Sequence, residues 1–419
     1  MELITICKTD RKLKGEISLP SSKSISNRVL IIRALSKKNF NIRNLSRADD
    51  TKLMQSLLDK IEYQKNISEA VELNCENAGT VMRFLTAYLS NKPGKWLLTG
   101  TERMKQRPIG ILADVLRQIG VNINYVEKKG YPPILIEGSE LTGGKIEIDA
   151  GVSSQFITAL LLIAPALSGG LEITLINKIS SLSYIEMTIK LMEYFGIKIN
   201  HSGNAIAVKQ QEYREADFNV EPDWTSASYW YEMAAFADEV DLTITGLKKE
   251  SLQGDSVLPE IFKKLGVRTE FLNEGIRLYK DNIPSDFFEY DFTNFPDLAQ
   301  SVIVTCAGLN ISGKFTGLES LCIKETDRLT ALQTELKKIG INTKITSNSE
   351  LITLNSKQQT VNSKPINTYG DHRMAMAFAP LALLSGSIQI ENPEVVSKSY
   401  PGFWEDLKKF GFKNLLSTV

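Results

Sequence analysis

The chain has 419 residues, of which 49 are basic, 49 are acidic and 42% are hydrophobic. This length exceeds what one hydrophobic core usually supports and predicts two or three domains. Because the formal net charge is zero, the composition argues against a protein that binds nucleic acid or a membrane surface, which would carry an excess of basic residues.

Residues 1–14 alternate apolar and polar side chains without a long apolar core, so they are not predicted to be a secretory signal. The longest apolar run, residues 157–167, includes Pro165 and is too short to cross a bilayer. Cysteines without a C-x-x-C pair fit a reducing cytoplasm, and two histidines without an H-E-x-x-H motif make a dedicated zinc or iron site unexpected. These residues are Cys7, Cys75, Cys306, Cys322, His201 and His372.

One short phrase recurs along the chain: an amphipathic helix that ends in an apolar residue, then a glycine, then a β-branched or aromatic residue that opens a strand. A glycine after a helix suits the left-handed conformation that ends it. The intervals of about seventy residues imply roughly six copies of one α/β unit in two groups of three, and hence two similar domains. A degenerate first copy lies at residues 57–63, and the five clear glycines are Gly120, Gly196, Gly266, Gly340 and Gly411.

Polar clusters stand directly before helix-periodic apolar runs at about seven places. In the first, residues 20–28, Lys23, Ser24 and Arg28 are candidates to hold a phosphate, with Arg28 on the polar side of the helix. A serine that merely caps the helix is an equally good explanation. The next cluster, residues 77–84, places Gly79 where a ligand can approach the backbone, although it also suits a turn.

Further clusters follow in chain order. Residues 103–107 hold three cations in a loop before a helix predicted to begin at Pro108, although a solvated surface loop reads the same way. The helix after Ser153-Ser154-Gln155 is apolar nearly all round, so its polar start is predicted to be buried. The remaining starts can also be simple caps, and they lie at Asp223, Pro296-Asp297, Asp371-His372-Arg373 and Lys398.

The most concentrated cluster is Lys324-Glu325-Thr326-Asp327-Arg328, which precedes an apolar helical stripe ending before Gly340. On its own, such a stretch is more often a solvated cap. If the repeats aim all these helix starts at one cleft, however, its dipoles and cations suit a small substrate with several anionic groups. The candidate acid and base groups are Asp297, Glu325 and His372, and no nucleotide-binding motif is present.

Together these motifs resemble the 5-enolpyruvylshikimate-3-phosphate synthase family (3-phosphoshikimate 1-carboxyvinyltransferases) over essentially the whole chain. The resemblance rests on six motifs in family order: Ser22-Lys23-Ser24 with Arg28, Asn77-Ala78-Gly79-Thr80 with Arg83, Arg107-Pro108-Ile109, Ser153-Ser154-Gln155, Lys324 to Arg328, and Asp371 to Met376.

The resemblance implies an α/β fold of two similar domains, each of three βαβαββ repeats of the inside-out α/β barrel type, with the active site in the interdomain cleft. The implied domains are residues 1–20 plus 222–419 and residues 21–221. The implied reaction transfers the enolpyruvyl group of phosphoenolpyruvate to the 5-hydroxyl of shikimate 3-phosphate, in the shikimate pathway of chorismate and aromatic amino acid biosynthesis. A cytoplasmic monomer without cofactor is implied, with no nucleic acid or membrane partner.

The resemblance also implies roles for individual residues. Asp297 would be the base on the 5-hydroxyl, Glu325 would move the proton to and from the methylene carbon, and Lys23 would assist. Shikimate 3-phosphate would be bound by Lys23, Ser24, Arg28, Ser153, Ser154, Gln155, Ser181, Tyr184, Asp297 and Lys324. Phosphoenolpyruvate would be bound by Lys23, Asn77, Gly79, Arg107, Gln155, Arg328, Arg373 and Lys398.

Some positions depart from the family pattern, and two rivals remain. Phe84 stands where many members have proline, which leaves the response to the inhibitor glyphosate open; the others are Gln106, Trp224 and Ser320. The related UDP-N-acetylglucosamine enolpyruvyl transferases carry a reactive cysteine in the loop that corresponds to residues 103–107, which has none here. A non-catalytic anion-binding protein would have no reason to keep Asp297 and Glu325.

Overall fold

The structure, a computed structural model, describes residues 2–36, 39–64, 69–282, 285–354 and 364–418. Its contacts divide the chain into two compact units. We call Lys23–Val220 the inserted unit, and Met1–Ser22 together with Glu221–Val419 the terminal unit.

The chain opens with two strands of the terminal unit, β1 (Glu2–Cys7) and β2 (Lys12–Ser18). The inserted unit follows, with helices and strands in this order: α1 (Lys23–Ser36), β3 (Ile42–Arg43), α2 (Asp49–Glu62), β4 (Ala70–Asn74), α3 (Gly79–Ser90), β5 (Gly94–Thr99), α4 (Gly110–Gln118), β6 (Asn122–Tyr125), β7 (Ile134–Gly138), β8 (Gly144–Asp149), α5 (Ser154–Ile163), β9 (Leu171–Ile176), α6 (Leu182–Tyr194), β10 (Ile199–Ser202), β11 (Ala205–Val208) and β12 (Phe218–Asn219).

The terminal unit then resumes with α7 (Trp224–Phe236), β13 (Glu239–Thr245), α8 (Leu258–Lys263), β14 (Val267–Leu272), β15 (Gly275–Lys280), β16 (Phe287–Asp291), α9 (Ala299–Gly308), β17 (Ser312–Thr316), α10 (Arg328–Lys338), β18 (Asn342–Ile345), β19 (Leu351–Leu354), α11 (His372–Phe378), α12 (Ala382–Ser385), β20 (Ser387–Glu391), α13 (Phe403–Lys409) and β21 (Lys413–Thr418).

Four sheets in the described part of the chain share one topology. In each, a parallel pair is extended by an antiparallel hairpin, in the orders β4-β5-β7-β6, β8-β9-β11-β10, β2-β13-β15-β14 and β16-β17-β19-β18. A helix leads into the second parallel strand, and another leads into the hairpin. This α/β repeat is the pattern that the recurring glycine phrase predicts.

The glycines of the phrase adopt the predicted left-handed conformation, with φ between 80° and 98° at all five. At Gly120 the next amide, of Val121, donates to the carbonyl of Leu116 at 3.1 Å. At Gly340 the amide of Ile341 donates to Leu336 at 3.0 Å. These bonds satisfy carbonyls at the helix end and turn the chain into the following strand.

The helices that carry the polar starts run into the cores of their own units. In the terminal unit, α7 is buried on every side, with Trp224, Trp230 and Phe236 each 0% exposed. In the inserted unit, nine of the ten residues of α5 are buried. The helix starts are therefore held rigidly by packing behind them. In the described ranges, none of the helices combines the length and apolar character needed to cross a membrane.

Two local expectations are wrong. The helix predicted from Pro108 begins at Gly110, because Ile109 is its N-cap and has a non-helical backbone, with φ of −131° and ψ of −9°. The amide of Ile109 donates to the carbonyl of Gly130 at 3.0 Å instead. Arg28 does not lie on a polar face. It is 3% exposed, because α1 is buried on most sides and the guanidinium finds polar partners inside the unit.

Candidate active site

The polar cluster of the terminal unit is organised around Arg328, which is 1% exposed. Its Nε donates to Asp371 Oδ2 at 2.7 Å, its Nη2 to Glu325 Oε2 at 2.9 Å and its Nη1 to Asp297 Oδ1 at 3.2 Å. Burial lowers the pKa of Arg328, but the carboxylates of Asp371, Glu325 and Asp297 outweigh burial and raise it above its ordinary value. One planar guanidinium therefore fixes three carboxylates at once.

Each of these acidic residues stands at or just before a helix start. Asp297 lies in the 3₁₀ turn Pro296–Leu298 that leads into α9, and Glu325 lies three residues before α10. Asp371 caps α11, with its Oδ1 accepting from the amide of Arg373 at 2.9 Å. The buried helices behind them set their positions.

Asp327, within the charged stretch, is the cap of α10. Its side chain accepts from the amide of Thr330 at 3.2 Å and from the hydroxyl of Thr330 at 2.8 Å. The solvated-cap interpretation of the stretch therefore applies to Asp327, whereas Glu325 and Arg328 are turned inward and buried.

Three further cations adjoin the acidic groups. Arg373 Nη2 lies 2.9 Å from Asp297 Oδ2. Lys324 Nζ lies 4.0 Å from Asp297 Oδ1, and Lys398 Nζ lies 3.8 Å from Glu325 Oε1. The two carboxylates are thus held among cations that can also receive an anionic ligand.

The third candidate acid–base group from the sequence, His372, lies deep in the unit. It is 1% exposed, and its Nδ1 is 3.3 Å from Asp371 Oδ1. Asp297 and Glu325 remain partly accessible by comparison, with 15% and 10% of their side chains exposed. The geometry therefore favours these two carboxylates for proton transfer.

The inserted unit holds a buried arginine of a different kind, Arg28. Its Nη1 donates to the carbonyl of Ser24 at 2.8 Å, its Nε to Thr188 Oγ1 at 2.8 Å, and its Nη2 to Thr158 Oγ1 and the carbonyl of Tyr184, both at 3.3 Å. None of these partners is a carboxylate, and burial lowers the pKa of Arg28 to about 10. A cation held by neutral groups is suited to an anion from outside.

The serines predicted for this unit lie at two helix starts. Ser153 caps α5, its hydroxyl accepting from the amide of Gln155 at 3.3 Å, and Ser154 follows as the first residue of the helix. Ser181 precedes α6 with φ of 57°, in the left-handed region, and its carbonyl accepts from the amide of Tyr184 at 3.0 Å.

Two guanidiniums surround the first turn of α3. Arg107, 3% exposed, donates from Nη1 to the carbonyl of Asn77 at 3.0 Å and to its side chain at 3.3 Å. Arg83 donates to the carbonyl of Pro108 at 2.8 Å. A Cβ added at Gly79 would lie 2.5 Å from Arg107 Nη2 and 3.1 Å from Arg83 Nη1, so only glycine leaves room for both.

Lys23 is held by an acidic residue that the sequence reasoning did not single out. Its Nζ donates to Asp50 Oδ2 at 2.9 Å, and both side chains are mostly buried. Asp49 and Asp50 are the first two residues of α2. An acidic residue at a helix start was therefore the sequence feature that could have identified Asp50. Thr158, Thr188 and Tyr229 were missed for lack of any local signal, because only the fold brings them to Arg28 and Arg373.

Comparison with known proteins identifies the family. The profile of EPSP synthase (3-phosphoshikimate 1-carboxyvinyltransferase) matches residues 7–407. The chain belongs to the EPSP synthase family. A relative from Bacteroides fragilis, named 3-phosphoshikimate 1-carboxyvinyltransferase, is 49% identical over 402 residues, 96% of each chain. One from Haemophilus influenzae with the same name is 35% identical over 439 residues, 99% of this chain and 100% of the relative.

The solved EPSP synthase from Acinetobacter baumannii shares the fold with a TM-score of 0.77 over 100% of both chains, at 22% identity. The α/β class and the family resemblance predicted from the motifs are thereby confirmed. The roles of individual site residues stay predictions. Among the described residues, no group of three or more His, Cys, Asp or Glu is placed to hold a metal ion.

Two cysteines of this EPSP synthase family member are fully buried. Cys75 and Cys306 are each 0% exposed, as expected of small core residues. Burial raises the pKa of Cys75 to about 12 and that of Cys306 well above its usual value. Cys322 is half-buried and packs against the core.

The arrangement around Arg328 makes a prediction about stability. Arg328→Met should lower the free energy of unfolding by about 3–5 kcal/mol, because it leaves buried carboxylates without their shared counter-charge. Chemical denaturation measures this. The matched control is Arg277→Met, which breaks an exposed pair with Asp241 at 2.6 Å and should leave the free energy of unfolding nearly unchanged. Equal losses in the two variants would contradict the role given to Arg328.

Proposed function

We propose that this chain transfers the enolpyruvyl group of phosphoenolpyruvate to the 5-hydroxyl of shikimate 3-phosphate and releases phosphate, as a step of the shikimate pathway. The observation that carries the proposal is the family match over residues 7–407, with relatives named for this activity over nearly their whole length. The paired carboxylates among cations in the terminal unit support it, because the reaction needs proton transfer beside bound anions.

In the proposed mechanism, Asp297 takes the proton of the 5-hydroxyl as its oxygen attacks C2 of phosphoenolpyruvate, while Glu325, which enters this step protonated, gives its proton to the methylene carbon. The proton on Asp297 later leaves with the departing phosphate. The product of addition is a tetrahedral intermediate. Glu325 then removes a proton from the new methyl group as the C2–phosphate bond breaks, which restores the double bond. Arg328 lies 2.9 Å from Glu325 and 3.2 Å from Asp297, so one buried side chain holds both groups in position.

We propose that the residues of these polar clusters bind the two substrates as follows. Arg28, Ser24, Ser153, Ser154, Ser181 and Tyr184 would hold shikimate 3-phosphate, together with Gln155, Lys23, Lys324 and Asp297. Asn77, Gly79, Arg107, Arg373 and Lys398 would hold phosphoenolpyruvate, together with Arg328, Lys23 and Gln155. The absence of carboxylates among the hydrogen-bond partners of Arg28 supports an external anion there.

We propose that the two units are domains, with the active site in the cleft between them. The bounds of the proposal are residues 21–221 for one domain and residues 1–20 plus 222–419 for the other, each built from three βαβαββ repeats of the inside-out α/β barrel type. The shared topology of four sheets supports the repeats. A cytoplasmic monomer that uses no cofactor stays a prediction.

The direct test is an acceptor assay. Phosphate release from phosphoenolpyruvate is followed with shikimate 3-phosphate or UDP-N-acetylglucosamine added. We expect release only with shikimate 3-phosphate. Release only with the sugar nucleotide would assign the chain to the rival enolpyruvyl transfer, and binding of both anions without release would favour an anion-binding protein.

The role of Glu325 predicts a large loss of turnover in Glu325→Gln. Removing a positioned acid–base group should lower kcat by about 10²–10⁴-fold, while the Kd for shikimate 3-phosphate changes little. Steady-state kinetics and calorimetric titration measure the two quantities. Near-normal turnover in the variant would assign the proton transfer to another group.

The contact at Gly79 predicts a defect in phosphoenolpyruvate binding. In Gly79→Ala the new Cβ displaces the end of Arg107, since it would otherwise lie 2.5 Å from Nη2. Loss of one charge-assisted hydrogen bond should raise the KM for phosphoenolpyruvate roughly tenfold or more. In an Arg107→Lys background the same substitution should add little. Equal effects in both backgrounds would show that Gly79 acts through something else.

The bond between Asp50 and Lys23 predicts that Asp50→Asn lowers kcat about 10–100-fold, because a misplaced catalytic ammonium loses its geometry. Asp49 offers a matched control in the neighbouring position. Its exposed carboxylate lies 3.6 Å from Lys52, so Asp49→Asn should leave kcat and both KM values unchanged. Comparable losses in both variants would point to damage to α2 instead.

A further inference from the structure

Another acidic residue, Asp255, is buried in the terminal unit and has no role in the mechanism above. It lies in the 3₁₀ turn Gly254–Val257 and is 4% exposed. Gln253 ties this turn to the start of α7. Its Oε1 accepts from the amide of Trp224 at 3.0 Å, and its Nε2 donates to the carbonyl of Pro222 at 2.7 Å. The position of Asp255 is therefore fixed by the fold.

The hydrogen bonding of Asp255 is incomplete for an ionised carboxylate. Thr225 Oγ1 donates to Oδ2 at 2.5 Å. Oδ1 is buried and accepts no hydrogen bond from any described residue. An ionised carboxylate has acceptor sites on both oxygens, and burial without donors is costly. A protonated carboxyl needs fewer donors, so this site favours the neutral form.

The charges that face Asp255 point the same way. Burial raises the pKa of Asp255, and the negative charges of Asp297 and Asp223 raise it further. The hydrogen bond from Thr225 and the charge of Arg373 lower it only in part, so the pKa is about 7. Asp297, in contrast, lies 2.9 Å from Arg373 and 3.2 Å from Arg328. Thr225, which donates to Asp255, and Tyr229, whose hydroxyl accepts from Arg373 Nη1 at 3.4 Å, lie one turn apart on α7. Asp255 and Arg373 therefore lie against the same face of that helix.

We propose that Asp255 is a positioning residue that holds a proton beside Asp297 and Arg373 and so leaves their ion pair available to the substrates. This inference rests on the function proposed above. When Asp255 loses its proton, a second negative charge competes for Arg373 and repels the anionic substrates. The residue does not touch the reacting atoms. It sets the charge state in which the neighbouring pair works.

The sign of the pH dependence follows from the raised pKa. Asp255 is neutral below about pH 7 and ionised above it, so the KM for the anionic substrates should rise through this range. Among the other groups that act on it, Arg373 keeps its charge there, and Tyr290 has a pKa raised by burial to about 12. Asp255→Asn fixes the neutral form and should remove this component of the pH profile.

The test measures kcat and both KM values from pH 6 to pH 9 for the full chain, Asp255→Asn and a matched control. The control is Asp238→Asn, which changes an exposed aspartate 3.3 Å from Arg11 in the same unit. We expect Asp255→Asn to stay within about threefold of the unsubstituted chain at pH 6. From pH 6.5 to 8.5 the increase in the KM of Asp255→Asn for phosphoenolpyruvate should be at least threefold smaller than the increase in the unsubstituted chain. Superimposable profiles would overturn the proposal.

A second variant tests the same idea with less disturbance. Thr225→Val removes the donor that favours the ionised form of Asp255, so the pKa of Asp255 should rise and the alkaline increase in KM should move to higher pH. An unchanged position of that increase, or a shift to lower pH, would contradict the proposal. This comparison also decides the matter if Asp255→Asn fails to fold.

A stability measurement separates this inference from the proposed function. A carboxyl whose folded-state pKa is raised costs stability as pH rises from its unfolded value, near 4, to about 7. The denaturation midpoint of Asp255→Asn, relative to that of the unsubstituted chain, should therefore increase across that range. Above pH 7 the difference between the two midpoints should stay constant. If the stability difference is the same at every pH, Asp255 does not hold the proposed proton. If the difference varies with pH as expected but the chain shows no turnover, only the proposed reaction is contradicted.

Discussion

The terminal unit depends on one buried guanidinium that binds three carboxylates. Arg328 neutralises Asp297, Glu325 and Asp371 at distances of 2.7–3.2 Å, and each of these groups is placed by a helix start. Without that shared cation, three acidic groups would lie close together in a buried site with no common counter-charge. The same interaction aligns the two carboxylates proposed to move protons, so stability and chemistry have a common source.

The two units use buried arginines in opposite ways. Arg328 is surrounded by carboxylates, whereas Arg28 is held by hydroxyls and carbonyls only. The first arrangement is neutralised within the protein and fixes geometry. The second places a positive charge among neutral groups, which supports the proposal that Arg28 binds an anion.

Much of this organisation could be predicted from the sequence because it is local. The glycine at each helix end and the apolar stripe after Arg328 are short-range patterns. They predicted α10 and an α/β repeat, of which four sheets of one topology are seen among the described residues, whereas about six copies were expected. Partners that lie far apart in the chain could not be found this way. Asp371 is 43 residues from Arg328 and Thr188 is 160 residues from Arg28, and only packing brings them together. The expectation that Arg28 lies on a polar face was wrong for the same reason, because its buried partners are distant in the sequence.

In the proposed mechanism, carboxylates held by arginines move protons on and off bound phosphoenolpyruvate. Proton NMR of the reaction in heavy water tests it most directly. We expect the enolpyruvyl ether of shikimate 3-phosphate to form with deuterium in its methylene group. The reason is that addition delivers a solvent-derived deuteron to that carbon before elimination. Product with an unlabelled methylene group would contradict addition followed by elimination, and no product at all would contradict the reaction itself.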